Sequence, residues 1–558
     1  MQTLKANRCF TSGIALAPAF VVKEQDYSAV HSQADDKQAE LLRFQNAAQG
    51  VADELTVLAE RDAIFAAHLE LAQDPTIAQE VEDAILGEEK NAEWAVEDVI
   101  AAYAMIFDQM EDEYMRARGA DIRDIGKRLL LKLKGMEDRR LSGMNRHCVI
   151  VARDLTPSDT ANMNLDYVDG FITEEGGVTS HVAIMAKGLG IPALVGVSGI
   201  LDAVTDGAMI AMNAKSGEIA VCPDEETVAH YRKLLEEQRR YHETLKAAAS
   251  LPAETADGHK VQIYANVGNL TDIDRALASG AMGVGLFRTE FLYMENTHFP
   301  TEEEQFAVYA EAARRMGERE LIIRTLDIGG DKQLPYFTFD AEENPFLGYR
   351  AIRLCLGDHA LFKTQLRALL RAAAFGNLRI MYPMMVCMEE LNEAHALLET
   401  CKQELRVEGK EFNENVKVGM MIETPASVLL ADRFAKHVDF FSIGTNDLTQ
   451  YVLAADRGNR KLSYLYDPFR PAVLQAIQTV IRAGHAAGIP VGMCGEFASD
   501  AKAFPILLGM GLDEFSVSSG KVPELKLRLQ KLKESEAKQL AQKVLSCDTT
   551  AEVMLYCE

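Results

Sequence analysis

Phe171-Ile172-Thr173-Glu174-Glu175-Gly176-Gly177-Val178-Thr179-Ser180-His181-Val182-Ala183-Ile184-Met185-Ala186-Lys187-Gly188-Leu189 reads as strand, loop and helix in succession. The short apolar run suits a buried strand, the paired glycines allow a turn that a Cβ would obstruct, and Ala183 to Leu189 has helical composition. Similar strand patterns stand at Cys148 to Ala152, Gly170 to Thr173, Ala193 to Val195 and Met209 to Met212, and residues 1 to about 22 add more. These predict an α/β domain built from 1–22 and 146–222. Between them, 23–145 changes to long charged amphipathic segments at Lys37 to Ala59, Thr76 to Ile85, Ala92 to Arg118 and Asp121 to Lys134, an all-helical insertion.

Asp224 to about Ser250 is a charged helical run closed by Leu251-Pro252-Ala253, so 223–252 reads as a linker helix. Beyond it, eight strand-like runs follow at Val261–Ala265, Gly283–Phe287, Leu321–Thr325, Leu378–Tyr382, Lys417–Ile422, Asp439–Ile443, Val491–Cys494 and Glu514–Val517, with helix-length segments between them. Eight βα units predict a TIM barrel over 253–558, and the chain as a whole is multidomain α/β.

In a barrel, the carboxyl ends of the strands converge on one face, where active sites lie. Asn266, Arg288, Arg324, Glu423, Asn446 with Asp447, Cys494 and Ser518 all stand at or just after strand ends. Arg288, Arg324, Arg350 and Arg457 would make a cationic pocket suited to phosphate and carboxylate oxygens. Glu423 and Asp447 follow adjacent strands. Two carboxylates suit Mg²⁺, which keeps waters and takes substrate oxygens; the alternative is that they pair with the arginines. His181 sits where a loop enters a helix, and the free N–H groups of a helix start favour an imidazole carrying a phosphoryl group; the alternative is a structural histidine beside a glycine turn.

The 84 acidic and 58 basic residues give a net charge of -26, which argues against nucleic acid and anionic membranes and allows a basic protein partner. Nine cysteines without a C-x-x-C pair suggest neither zinc nor disulfides, and point to a reducing cytoplasm. No apolar run approaches membrane-spanning length and the first residues begin no signal peptide, so no membrane insertion is expected. Acidic stretches on the insertion, such as Glu80-Val81-Glu82-Asp83, are by themselves ordinary solvated faces.

Gly-Gly-x-Thr-Ser-His-x-x-Ile-Met-Ala at 176–186, followed by Gly-Ile-Pro-Ala-Leu-Val-Gly, closely resembles the phosphohistidine loop of the phosphoenolpyruvate-utilising enzymes. Gly-Leu-Phe-Arg-Thr-Glu-Phe-Leu at 285–292, Arg-Thr-Leu-Asp-Ile-Gly-Gly-Asp-Lys at 324–332 and Glu-Asn-Pro-Phe-Leu-Gly-Tyr-Arg at 343–350 extend the likeness. With Phe-Ser-Ile-Gly-Thr-Asn-Asp-Leu-Thr-Gln-Tyr at 441–451 and Gly-Met-Cys-Gly-Glu at 492–496, they resemble the enzyme I family of the bacterial phosphotransferase system over essentially the whole chain.

The resemblance implies a swivelling domain in which His181 takes a phosphoryl group from phosphoenolpyruvate and passes it to a histidine of the carrier HPr, releasing pyruvate as the first step of sugar uptake. It implies that Arg288, Arg324, Arg350, Arg457, Asn446 and the Asp447 backbone bind phosphoenolpyruvate. Glu423 and Asp447 would hold Mg²⁺, and Cys494 would protonate the enolate. It also implies that the insertion docks HPr through Glu60, His68 and Leu71, and that barrels pair into a homodimer. Two positions depart from the family pattern, Val178 and Lys187, where arginine is common.

An ATP-dependent dikinase or synthase shares the histidine loop and barrel, but needs an ATP-binding domain ahead of the histidine, for which about 145 residues of α/β and helical material are expected to leave no room. A sensor that retains only the docking insertion would not need His181, the arginines, both carboxylates and Cys494.

Overall fold

Apolar runs too short for helices close into one open sheet and one barrel. The computed structural model describes the chain apart from residues 1, 7–10, 23–25, 60–63, 111–112, 137–140, 142–143, 162, 178–179, 331, 333, 335 and 558. It divides into two compact units, Met1–Arg240 and Tyr241–Glu558.

The first unit contains a seven-stranded sheet of β1 (Gln2–Lys5), β2 (Ile14–Val21), β3 (Cys148–Ala152), β4 (Val168–Thr173), β5 (Ala193–Leu194), β6 (Met209–Asn213) and β7 (Glu218–Val221). Its order is β1-β7-β6-β2-β3-β4-β5. From β2 to β5 the pairs are parallel, whereas β1, β7, β6 and β2 pair antiparallel. Every residue of β3 is buried. Its side chains alternate between two cores, Val149 and Val151 on one face, Cys148 and Ile150 on the other, which is why the strand reads as a continuous apolar run.

Between β2 and β3 lie helices Lys37–Ala59, Ile64–Ala72, Pro75–Gly87, Ala92–Asp108 and Glu113–Leu133. They share a core that includes Phe44, Val51, Leu55, Val81, Val96, Ile125 and Leu129. The run expected from Ala92 to Arg118 is broken: one helix ends at Asp108 and the next runs unbroken through Gly119 to Leu133. A Cβ at Gly119 would lie 2.8 Å from Asp108 Oδ1, so this glycine allows two helices to pack closely and does not end one. Helix Glu225–Ala248 spans the division between the units, and Asp224 caps it by accepting from the Thr227 amide at 2.9 Å.

In the second unit β8 (Gln262–Val267), β9 (Val284–Arg288), β10 (Leu321–Arg324), β11 (Leu378–Tyr382), β12 (Lys417–Ile422), β13 (Phe441–Ile443), β14 (Val491–Met493) and β15 (Glu514–Ser518) close into a parallel barrel. It is a TIM barrel, built on the eight runs expected. Ile380, Met420 and Phe441 face the surrounding helices, while Leu286, Ile322, Met381, Met421, Phe440 and Cys494 form an inner cluster. The same alternation turns Arg288, Arg324 and Glu423 inward at the carboxyl ends of their strands.

Candidate active site

A cavity of about 770 Å³ opens at that end of the barrel, and eight of the barrel residues expected in the site line it: Arg288, Arg324, Arg350, Glu423, Asn446, Asp447, Arg457 and Cys494. Arg288 and Arg324 end β9 and β10, Glu423 and Cys494 directly follow β12 and β14, and Asn446 and Asp447 lie in the first turn of helix Thr445–Leu453. A smaller cavity of about 360 Å³ lies at the opposite end, around Gln262, Glu320 and Glu514, away from all of these.

Three further charged residues belong to the site. Arg324 pairs with buried Glu290, and its Nη1 lies 3.0 Å from Asp327 Oδ2. Asp327 also takes Arg350 Nη2 at 2.8 Å and Lys332 Nζ at 3.1 Å, and Lys332 reaches Glu290 at 2.7 Å. Burial works against the charges of Glu290, Arg324, Asp327 and Arg350. The cations outweigh it and hold the Asp327 carboxyl well below its ordinary range, while Asp327 and Glu290 keep Arg324 protonated. Glu290 and Asp327 lie inside the quoted Phe-Arg-Thr-Glu and Arg-Thr-Leu-Asp motifs, but nothing in the spacing says that they meet. Arg288 makes no ion pair among the described residues and is the cation best placed to receive an anion.

Glu423 is 1% exposed; its Oε1 accepts at 2.7 Å from the amide of Met384, a non-glycine residue at φ 57°. Burial, then repulsion from Asp447 and Asp327, pushes its carboxyl up to about 8. Asp447 Oδ1 takes Arg457 Nη1 at 3.2 Å, and Oδ2 lies 3.6 Å from Arg350 Nη2, so pairing with arginines is part of its role. Among the described residues no group of three or more His, Cys, Asp or Glu could hold a metal. Glu423, which makes no ion pair among the described residues, together with Asp447 nevertheless fits a hard divalent cation that draws its remaining ligands from substrate and water.

Cys494 is 4% exposed, its Sγ donates to the Ile443 carbonyl at 3.9 Å, and burial pushes its thiol up to about 11. Asn266, at a strand end by sequence, serves as support: Nδ2 donates to the Cys494 carbonyl at 3.0 Å, and Ser516 donates to its Oδ1 at 2.7 Å. Ser518 ends β15 exposed and is not part of the cavity.

In the first unit His181 opens helix His181–Leu189, whose cap Ser180 accepts from the Ala183 amide at 3.4 Å. Gly176 turns the loop at φ 93° and Gly190 ends the helix at φ 71°. Lys187 is exposed in the last turn, and Val178 lies outside the described residues. Of the residues expected to dock a partner, Glu60 is likewise outside them and Leu71 is half-buried. His68 differs from expectation: its ring has no exposed surface and lies 3.2 Å from Asp121 and 3.5 Å from Asp124. A polar side chain on an amphipathic helix can be read as surface, and here two carboxylates, buried Asp124 and half-buried Asp121, draw it inward.

The sequence matches three family descriptions in chain order: PEP-utilising enzyme, N-terminal, over 9–118; PEP-utilising enzyme, mobile domain, over 144–217; and PEP-utilising enzyme, PEP-binding domain, over 242–534. The chain belongs to the PEP-utilising enzymes. Among its curated relatives, the phosphoenolpyruvate-protein phosphotransferase of Staphylococcus carnosus is 44% identical over 98% of this chain and 96% of its own length. That of Bacillus subtilis is 44% identical over 100% and 99%. No helix among the described residues is long and apolar enough to cross a membrane.

Proposed function

We propose that this PEP-utilising enzyme is a phosphoenolpyruvate-protein phosphotransferase that passes the phosphoryl group of phosphoenolpyruvate to His181 and then to a histidine of HPr, serving sugar uptake. The convergence of four arginines, two carboxylates and a thiol from separate motifs in one cavity carries this assignment. The full-length likeness to relatives of that name supports it.

Arg288, Arg324, Arg350 and Arg457 would grip the phosphate and carboxylate of the substrate, with Asn446 and the Asp447 amide at the helix start. Glu423 and Asp447 would hold Mg²⁺, which supplies charge neutralisation for the phosphoryl and enolate oxygens when bound. The bond from the enol oxygen to phosphorus breaks as one forms to a ring nitrogen of His181. The enolate electron pair then takes the Cys494 proton at its methylene carbon, giving pyruvate, and water reprotonates the thiolate. A thiol pushed up to about 11 stays protonated at neutral pH, as a donor must. The arrangement works by positioning and charge neutralisation.

Four segments divide this labour: 1–22 with 146–222 as the phosphohistidine domain, 23–145 as the insertion, 223–252 as the linker and 253–558 as the barrel. The insertion would dock HPr near Glu60 and Leu71, with His68 shaping the docking helix from beneath. Pairing of barrels into a homodimer and a cytoplasmic location complete the assignment. Labelled phosphoenolpyruvate should place acid-labile, base-stable label on His181, and undiminished labelling of His181→Ala overturns it.

A further inference from the structure

We propose that Asp327, which lies outside the set of residues expected to touch substrate, is the positioning residue of the barrel site, a single carboxylate that fixes Arg324, Arg350 and Lys332 as one anion receptor. This rests on the phosphotransferase assignment. Asp327 is 2% exposed. Its Oδ1 takes Arg350 Nη2 at 2.8 Å; its Oδ2 takes both Arg324 Nη1 at 3.0 Å and Lys332 Nζ at 3.1 Å. Lys332 is bound twice over, since it also donates to the Asp327 carbonyl at 3.0 Å.

The backbone that carries Asp327 is fixed. The Leu326 amide donates to buried Gln365 Oε1 at 2.8 Å, and the Thr289 hydroxyl donates to the Arg324 carbonyl at 3.0 Å. Gly329, at φ 107°, lets the chain pass close to Arg350: a Cβ there would lie 2.6 Å from that residue's Cβ. The Ala351 amide closes the loop onto the Ile328 carbonyl at 3.1 Å, with Ala351 itself at φ 54°. Strained backbone of this kind persists where surrounding contacts hold it, and here it serves to bring Arg350 to Asp327.

Three cations around one cavity repel each other, and long flexible side chains would spread apart without a shared counter-ion. Glu290 touches Arg324 and Lys332 but is not paired with Arg350. Among the described residues Asp327 alone joins all three, and so sets their mutual spacing.

Charge and position predict opposite signs, which makes the proposal testable. Asp327→Asn makes the cavity one unit more positive, so if Asp327 only tuned charge, the variant should bind anionic phosphoenolpyruvate more tightly. If it positions, KM should rise and kcat should fall, with kcat/KM down about 100-fold, the scale of an ångström's misplacement. Asp327→Glu keeps the charge but carries the carboxylate one methylene further. It should melt near wild type and still lose kcat by about tenfold or more. Transfer from phospho-HPr to His181 should be unchanged in both variants.

Lower or unchanged KM with unchanged kcat in Asp327→Asn overturns the proposal, as does wild-type kinetics in Asp327→Glu. An Asp327→Glu protein that loses turnover only in proportion to its unfolded fraction also overturns it, leaving mere support of the fold. If wild-type protein forms no pyruvate from phosphoenolpyruvate, the underlying assignment has failed instead.

Discussion

Gly444 lies against Glu423 so closely that a Cβ at 444 would stand 2.6 Å from Glu423 Oε2. The glycine is not there for its backbone, which has φ -89° and suits any residue. It is there for room. Gly444→Ala should therefore fold but push the carboxylate out of place, raising the concentration of Mn²⁺ or Mg²⁺ needed for half-maximal pyruvate formation by about tenfold or more. A metal titration of purified enzyme reads this directly, and a wild-type requirement would remove Glu423 from the metal site.

His68 should act on stability rather than contact a partner. Burial disfavours its charge, but the Asp121 carboxylate, which accepts from the ring, and the Asp124 carboxylate 3.5 Å away outweigh this and raise its pKa to about 9, against an unperturbed value of about 6.5. A folded-state pKa above the unfolded one contributes stability that is complete below about pH 6.5 and is lost as pH rises through about 9. The melting midpoint of the N-terminal unit should fall across that window in wild type and fall less steeply in His68→Asn. Equal slopes in the two proteins would show that His68 is not charged in the fold.

The barrel is legible in sequence because each strand is a short apolar run with polar residues at its carboxyl end, and eight such runs admit one closed architecture. Arg288, Arg324, Glu423 and Cys494 are legible for the same reason: inward alternation and strand ends place them in one layer. Glu290, Asp327 and Lys332 are not, because their role is a meeting across strands and loops that no local pattern encodes. Asn266 has the right position by sequence, yet its amide is taken up by the Cys494 and Ser516 carbonyls. His68 fails for the converse reason, since a buried polar network and a solvated face look alike along a helix.

Gly280 should be the position in the second unit least tolerant of a methyl group. It has φ 79°, and a Cβ there would overlap the Ala249 carbonyl oxygen. Lys526 Nζ, 2.7 Å from both the Ala249 and Gly280 carbonyls, holds the two segments together. Gly280→Ala combines left-handed strain with overpacking and should destabilise the barrel by roughly 2–4 kcal/mol. The denaturant midpoint of the barrel transition reports it, and an unchanged midpoint would mean that Ala249 moves away freely.

Cys494→Ala isolates the protonation step. The thiol is buried in the inner cluster with Met421 and Phe440, so losing its sulfur removes little volume and the barrel should still form. Its backbone remains tied, through its carbonyl, to Asn266. What the variant lacks is the thiol proton that burial keeps in place at the wall of the cavity. General acids of this kind contribute about 10²–10⁴-fold, and pyruvate formation should fall within that range. Phosphoenolpyruvate binding with Mg²⁺ should persist, and phospho-HPr should still phosphorylate His181. Wild-type pyruvate formation in Cys494→Ala would exclude the thiol as the essential donor. Loss of exchange with HPr as well would assign the residue to structure, because that partial reaction asks nothing of the barrel.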